Sequence, residues 1–156
     1  LLPIPFRWVM KESLRRVPFM GKACQMAGFI FVDDKKKGSI QDTMDSARKV
    51  LSEGTSIFIF PEGRRTLTGR MDRFKKGGFV LAYELDVPII PVSIDGSYRA
   101  LRAGGRWVTP TRLTLTIHPP IQIDREGEFP RNMLQALDQV RSSIASVLPE
   151  EQETHS

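Results

Sequence analysis

Six cationic side chains fall between positions 64 and 76 of the sequence: Arg64, Arg65, Arg70, Arg73, Lys75 and Lys76, with Asp72 the one acid among them. The planar fork of arginine matches phosphate, whereas lysine supplies a movable point charge. The run that holds them is FPEGRRTLTGRMDRFKKGGF, residues 60–79, in which Glu62 precedes the cations. Gly63, Gly69, Gly77 and Gly78 allow turns and a close backbone approach that a side chain would block. Phe74 and Phe79 bracket the lysine pair as apolar anchors that restrain the loop. This chemistry suits a phosphate-bearing ligand; the alternative is a solvated basic loop, since charged side chains usually face water. A nucleotide-cradling loop is excluded, because G-x-x-x-x-G-K-[ST] does not occur.

Other reactive groups are few. His118 ends a strand-like run before Pro119-Pro120, and His155 lies one residue from the end, so neither reads as catalytic. Cys24 is the single cysteine and reads as a buried thiol, since it cannot form an internal disulfide. Asp33, Asp34 and Glu62 offer oxygen ligands, but no His/Cys cluster joins them, and solvated acids at loop entries are the preferred reading. No metal and no cofactor are expected.

The elements that must position the basic segment follow from periodicity. Residues 7–28 read as helical, broken at Val17-Pro18, with Leu14, Val17, Met20, Cys24 and Ala27 as an apolar stripe. Phe6, Trp8, Val9 and Met10, beside Arg7 and Lys11, make an amphipathic patch suited either to a bilayer interface or to a core. FIFV at 29–32 reads as a buried strand, and a helix opening at Ser39 presents Ile40, Met44, Ala47, Val50 and Leu51 before Gly54. SIFIF at 56–60 is again strand-like, and it leads into a polar loop over 61–73. Ligands in open α/β sheets bind beyond the carboxyl ends of strands, which is where this loop falls. A short helix over 79–85, a strand over 87–94 containing Pro88 and Pro91, and a basic loop over 95–109 come next. An alternating strand at 112–118 precedes a helix from Pro130 with Met133, Leu137, Val140 and Ile144 on one face. Strands alternating with helices predict an α/β fold with a mostly parallel central sheet flanked by helices.

A length of 156 residues fits one domain. The division expected is a partial domain over 1–149 and a frayed acidic tail over 150–156. With 40% hydrophobic and 26% charged residues the chain is globular rather than disordered. Its net charge of +5 favours anionic partners without choosing among phosphates, acidic lipids and nucleic acid. Nucleic acid is disfavoured, since no reader motif or groove-fitting basic helix is present. No run reaches the roughly 18 apolar residues of a membrane-crossing helix. Trp107, in the basic loop, is a second candidate interfacial anchor.

Residues 60–66, FPEGRRT, resemble the F-P-E-G-[TS]-R-S block of the glycerolipid acyltransferases, especially the 1-acyl-sn-glycerol-3-phosphate acyltransferases. The resemblance extends to FRWVMKESLRRVPFMGKACQMAGFIFVDD at 6–34, similar to the segment running into the second motif of that family. It extends also to RFKKGGFVLAYELDVPIIPVSIDG at 73–96, similar to its F-K-K-G region and proline-containing fourth motif. It implies transfer of a fatty acyl group from acyl-CoA or acyl-ACP (acyl carrier protein) to lysophosphatidate, giving phosphatidate, with association at the cytoplasmic face of a phospholipid membrane. It assigns Glu62 and Arg65 to acceptor binding, with Gly63 and Pro61 shaping the turn and Phe60, Pro88 and Pro91 as structural parts of the motifs. Arg64, Arg70, Lys75, Lys76, Asp34 and Lys35 are further phosphate or acceptor contacts on this reading.

The match has departures. Arg64 replaces a small hydroxyl residue, Thr66 replaces Ser, and Asp34 stands where a basic residue is common. An acid there repels phosphate, with Lys35, Lys36 and Lys37 available to compensate. The family uses a His-x-x-x-x-Asp pair, its His acting as general base, and this pair does not occur in the 156 residues. The expectation is that it lies upstream of Leu1, since the chain opens LLPIPFRW without Met. These residues alone are then expected to be inactive. The alternatives are a noncatalytic lipid-phosphate or membrane-surface binding module, and an acyltransferase for a different lysolipid.

Overall fold

Phe6–Lys11, FRWVMK, is a strand, β1, and it occupies the middle of a three-stranded sheet of order β2-β1-β3. The computed structural model describes residues 5–33, 39–102, 104–105 and 107–148. The expected sites Asp34 and Lys35, and the tail 150–156, lie outside these residues. β1 pairs in parallel with β2, Ile30–Val32, placing Val9 opposite Ile30. It pairs in parallel with β3, Ser56–Phe58, placing Phe6 opposite Ser56. The helix expected from position 7 is therefore corrected to a strand over its first turns. Aromatic residues suit a pleated surface, and pairing with distant segments outweighs local spacing.

Residues two apart on a strand share a face. Phe6, Trp8, Phe58 and Phe60 accordingly meet, with the Trp8 centroid 4.5 Å from Phe58 and 5.1 Å from Phe60. The patch Phe6, Trp8, Val9 and Met10 is thus strand surface, not an interfacial helix. The remainder of the expected helix divides at Val17-Pro18 into a 3-10 turn, Glu12–Arg16, and helix α1, Met20–Met26. Of its predicted stripe only Cys24 is buried. Between the two pieces the Met20 N–H donates to the Pro18 carbonyl at 2.7 Å, and Phe19 takes φ 62 and ψ −52. That is a three-residue turn of the strained hand. A Cβ on Gly21 would lie 2.0 Å from the Arg15 carbonyl oxygen, so glycine is what lets α1 approach the 3-10 turn.

Parallel strands need a crossover, and helix α2, Ser39–Ser52, supplies it between β2 and β3. Its Met44 and Ala47 are buried, as the helical spacing predicts. Chain contacts separate two compact units, Leu1–Phe60 and Pro61–Ser156.

The second unit is built on α3, Gly77–Glu84, and α5, Phe129–Ala145. Phe74, Phe79, Ala82, Ile123, Met133, Ala136 and Val140 form its core. Strand β4, Val92–Asp95, runs antiparallel to β5, Thr114–Ile117, with Val92 opposite Ile117. A short helix, α4, Ser97–Ala100, lies within the stretch expected to be loop. The strand expected over 87–94 is shorter, since Pro88 and Pro91 have no N–H to give a ladder; only an isolated bridge, Ile89 with Ile121, precedes β4. Helices and strands mix in both units, giving an α/β architecture with a parallel sheet in the first and an antiparallel pair in the second.

His118 has a structural partner. Ser93, 1% exposed, donates its hydroxyl proton to the Ile144 carbonyl of α5 at 2.9 Å and sits 2.8 Å from His118 Nε2. With the single hydroxyl proton used, Nε2 must carry the hydrogen shared with Ser93. Ser93→Ala leaves both groups without this partner and is expected to cost about 1–3 kcal/mol. Urea unfolding should show a lower midpoint at unchanged slope; an unmoved midpoint would show that the Ser93 bonds add no net stability.

Candidate functional site

The residues singled out by their charge, 61–76, lie in the second unit between its first residue and α3. Their conformation is fixed by hydrogen bonds that regular secondary structure does not provide. The Lys75 N–H donates to the Pro61 carbonyl at 2.8 Å and closes the base of the loop. Phe74 and Phe79, both buried, tie that end to the core. Farther out, Thr66 Oγ1 donates to the Arg70 carbonyl at 2.8 Å, and the Tyr98 hydroxyl donates to the Leu67 carbonyl at 3.1 Å. The solvated-loop alternative therefore fails in part: the side chains are largely exposed, but the backbone is held.

Gly63 has φ 66, a left-handed conformation that glycine adopts without strain. A Cβ at this position would come within 2.9 Å of Lys75 Cε, so the lysine stem lies directly over Gly63. This brings Lys75 beside the Glu62-Gly63 step although 12 positions separate Lys75 from Gly63.

Glu62 is half-buried, and its Oε2 accepts the Asp72 N–H at 3.2 Å. Burial raises its pKa above the ordinary glutamate value, as does the neighbouring Asp72 charge. The Asp72 N–H bond and the Arg141 and Arg64 guanidinium groups oppose that shift without cancelling it. Asp72 moves the other way: the Arg73 N–H, at 2.7 Å from Oδ1, and the side-chain bond from Arg64 hold its pKa low. Arg64 gives Nε and Nη2 to Asp72 Oδ2 at 3.0 and 2.5 Å.

The two adjacent arginines therefore differ. Arg64 is engaged by the loop's own acid, whereas exposed Arg65 has no hydrogen bond or ion pair among the described residues. Arg70, Lys75 and Lys76 are exposed on the same segment. Pro91 is fully buried and its carbonyl accepts the His118 N–H at 3.0 Å, while Pro88 is exposed; neither belongs to the charged loop. Phe60 lies in the aromatic cluster of the first unit. Among the described residues no group of three or more His, Cys, Asp or Glu side chains could hold a metal ion, and no helix is long and apolar enough to cross a membrane.

Two features of this site have no local sequence signal. Asp72 stands out in the sequence as the one acid of the segment, but its pairing with Arg64, 8 positions away, does not. Arg141, on α5, donates Nη1 to the Asp72 carbonyl at 2.5 Å and Nη2 to the Met71 carbonyl at 3.1 Å, with its guanidinium 5.4 Å from the Phe74 ring centroid.

The acyltransferase family model matches residues 2–95, more than half of the chain. The chain belongs to the acyltransferase family. Within that family it is 33% identical over 145 residues to mouse 1-acyl-sn-glycerol-3-phosphate acyltransferase alpha, covering 91% of this chain and 50% of the relative. A 1-acyl-sn-glycerol-3-phosphate acyltransferase of Limnanthes douglasii is 33% identical over 125 residues, 80% of this chain and 44% of that protein. Among solved structures, the Thermotoga maritima 1-acyl-sn-glycerophosphate (LPA) acyltransferase PlsC matches with a TM-score of 0.68 at 26% identity, over 89% of this chain and 55% of that one. The chain spans about half the length of the curated relatives it matches. The family expected from FPEGRRT and its flanking blocks is thus the family found, and the matched span ends well before α5.

Proposed function

We propose that this acyltransferase chain carries the acceptor-binding part of an enzyme that converts 1-acyl-sn-glycerol-3-phosphate to phosphatidate. The observation that carries the reading is the pairing on one braced loop of a fixed carboxylate, Glu62, with an arginine, Arg65, that no internal acid among the described residues neutralises. Arg65 binds the acceptor's phosphate as a fork, with Lys75 and Lys76 adding field. Glu62 Oε2 is taken by the Asp72 N–H, which leaves Oε1 to accept a hydrogen bond from the polar end of the acceptor.

The transfer itself needs two substrates and no cofactor. The acceptor's free hydroxyl oxygen attacks the thioester carbonyl carbon of acyl-CoA or acyl-ACP. A histidine of a His-x-x-x-x-Asp pair, in polypeptide beyond these 156 residues, removes the hydroxyl proton. The carbon–sulfur bond breaks and the thiol leaves protonated. On this reading residues 1–149 are part of a larger acyltransferase domain. Its lipid substrate and product place the reaction on a phospholipid membrane surface, and its thioester donor on the cytoplasmic face.

The deciding experiment supplies the purified full-length protein with an acyl thioester and three acceptors: lysophosphatidate, lysophosphatidylcholine and monoacylglycerol. Phosphatidate as the dominant product is expected. Preferential acylation of either other acceptor would assign the loop to a different lipid, and binding of lysophosphatidate without any turnover would make the protein a lipid-phosphate binding module.

A further inference from the structure

We propose that Arg141, on the C-terminal helix α5, is a positioning residue that sets the conformation of the loop carrying Glu62 and Arg65. Its guanidinium gives two separate nitrogens to two successive carbonyls, Met71 and Asp72, and its face lies over Phe74. A planar fork matches that pair of acceptors, whereas a lysine ammonium offers a single charged centre. The arrangement is transmitted directly to the site, because the N–H of the same Asp72 binds Glu62 Oε2 and its carboxylate engages Arg64. One residue thus joins three neighbours: its carbonyl to Arg141, its N–H to Glu62 and its side chain to Arg64.

The helix that supplies Arg141 is anchored in the core of the second unit, where Phe79 and Ala82 of α3 and Ile123 join it. Met133, Ala136 and Val140 of α5 are buried in the core of the second unit, and Arg141 itself is half-buried immediately after Val140. Pinning the loop to a packed helix removes conformations that binding would otherwise have to select against. Position 141 lies outside the 2–95 span matched by the acyltransferase model, so the family match assigns it no role.

The inference rests on the acceptor reading for its kinetic consequence, but its structural content can be measured apart from activity. The full-length protein is compared with Arg141→Gln and Arg141→Lys by amide hydrogen exchange over residues 61–76 and by steady-state kinetics with lysophosphatidate. Arg141→Gln should accelerate exchange at the Asp72 and Lys75 amides by about tenfold or more, while the amides of α3 and β4 stay protected. KM for lysophosphatidate should rise by about tenfold with a much smaller change in kcat. Arg141→Lys should recover part of both effects.

A uniform rise in exchange across the second unit, with fewer active molecules at unchanged KM, would make Arg141 a stability residue only and overturn the proposal. Should the wild-type protein make no phosphatidate, the functional reading falls, and exchange alone decides this one. Local acceleration over 71–75 supports the positioning role; unchanged protection there refutes it.

Discussion

Glu62→Gln in the full-length protein is expected to lower kcat/KM for acyl transfer to lysophosphatidate by about 10- to 100-fold, the equivalent of one lost charge-assisted hydrogen bond. The amide oxygen can still accept the Asp72 N–H, so the loop's internal bond is retained. What changes is the second oxygen, which becomes a donor where the acceptor's polar end requires an acceptor. Substitution by Ala would remove the internal bond as well, which makes Gln the more informative variant. Equal kcat/KM for the wild type and Glu62→Gln would remove Glu62 from the site.

The same substitution separates function from stability. Because burial raises the Glu62 pKa in the folded protein, the folded state holds the proton more tightly than the unfolded chain does. The stability from that preference is full below the unfolded pKa of 4.5 and is lost as pH rises through the higher folded value. Gln mimics the neutral form and avoids desolvating a charge, so the thermal midpoint of Glu62→Gln at neutral pH should equal or exceed that of the wild type. Activity should run in the opposite sense, falling as acidification neutralises the ionised Glu62. The charges facing it are Asp72, Arg64 and Arg141, and those two arginines favour its ionised form. Asp72 has the reverse sign: its contribution is present above 3.8 and is lost as pH falls through its depressed folded value. An acid limb that survives unchanged in Glu62→Gln would assign the titration to another group.

The legibility of these features in the sequence follows their range along the chain. The run from Phe60 to Phe79 shows a cation cluster, turn-permitting glycines and apolar anchors, all properties of neighbouring residues, and the structure gathers residues 61–76 into one braced loop. Helix α5 is equally readable, with Pro130 in its first turn and an apolar stripe that becomes core. The failure at β1 has a different cause. FRWVMK adjoins the helical stripe that begins at Leu14, and only the parallel partners at Ile30–Val32 and Ser56–Phe58, 21 and 50 positions away, make it a strand. The division of labour between Arg64 and Arg65 is likewise invisible in the sequence. Two adjacent arginines have the same composition and local charge, and the distinction arises when the backbone brings Asp72 to one of them. Arg141 is farther still, 69 positions from its carbonyl partner Asp72, and nothing in an amphipathic helix pattern marks it.

That division predicts unequal outcomes at neighbouring positions. Arg65→Ala is expected to raise KM for lysophosphatidate by about 10- to 100-fold while changing kcat little, the loss of a fork held by a phosphate. With monoacylglycerol, which offers no phosphate, the same variant should behave like the wild type. Arg65→Lys should recover part of the loss, since it keeps the charge without the planar geometry. As Arg65 is exposed, the wild-type advantage should shrink as ionic strength rises and the screening length shortens. Arg64→Ala should respond differently: it releases Asp72 from its ion pair, leaving an acid less well neutralised on the loop, so its effect on KM reaches the acceptor through loop charge rather than through a lost direct contact. If Arg65→Ala weakens phosphorylated and nonphosphorylated acceptors alike, Arg65 is part of the loop's architecture. If Arg64→Ala alone shows phosphate-selective loss, the exposed arginine has been given the wrong role and the loop must rearrange on binding.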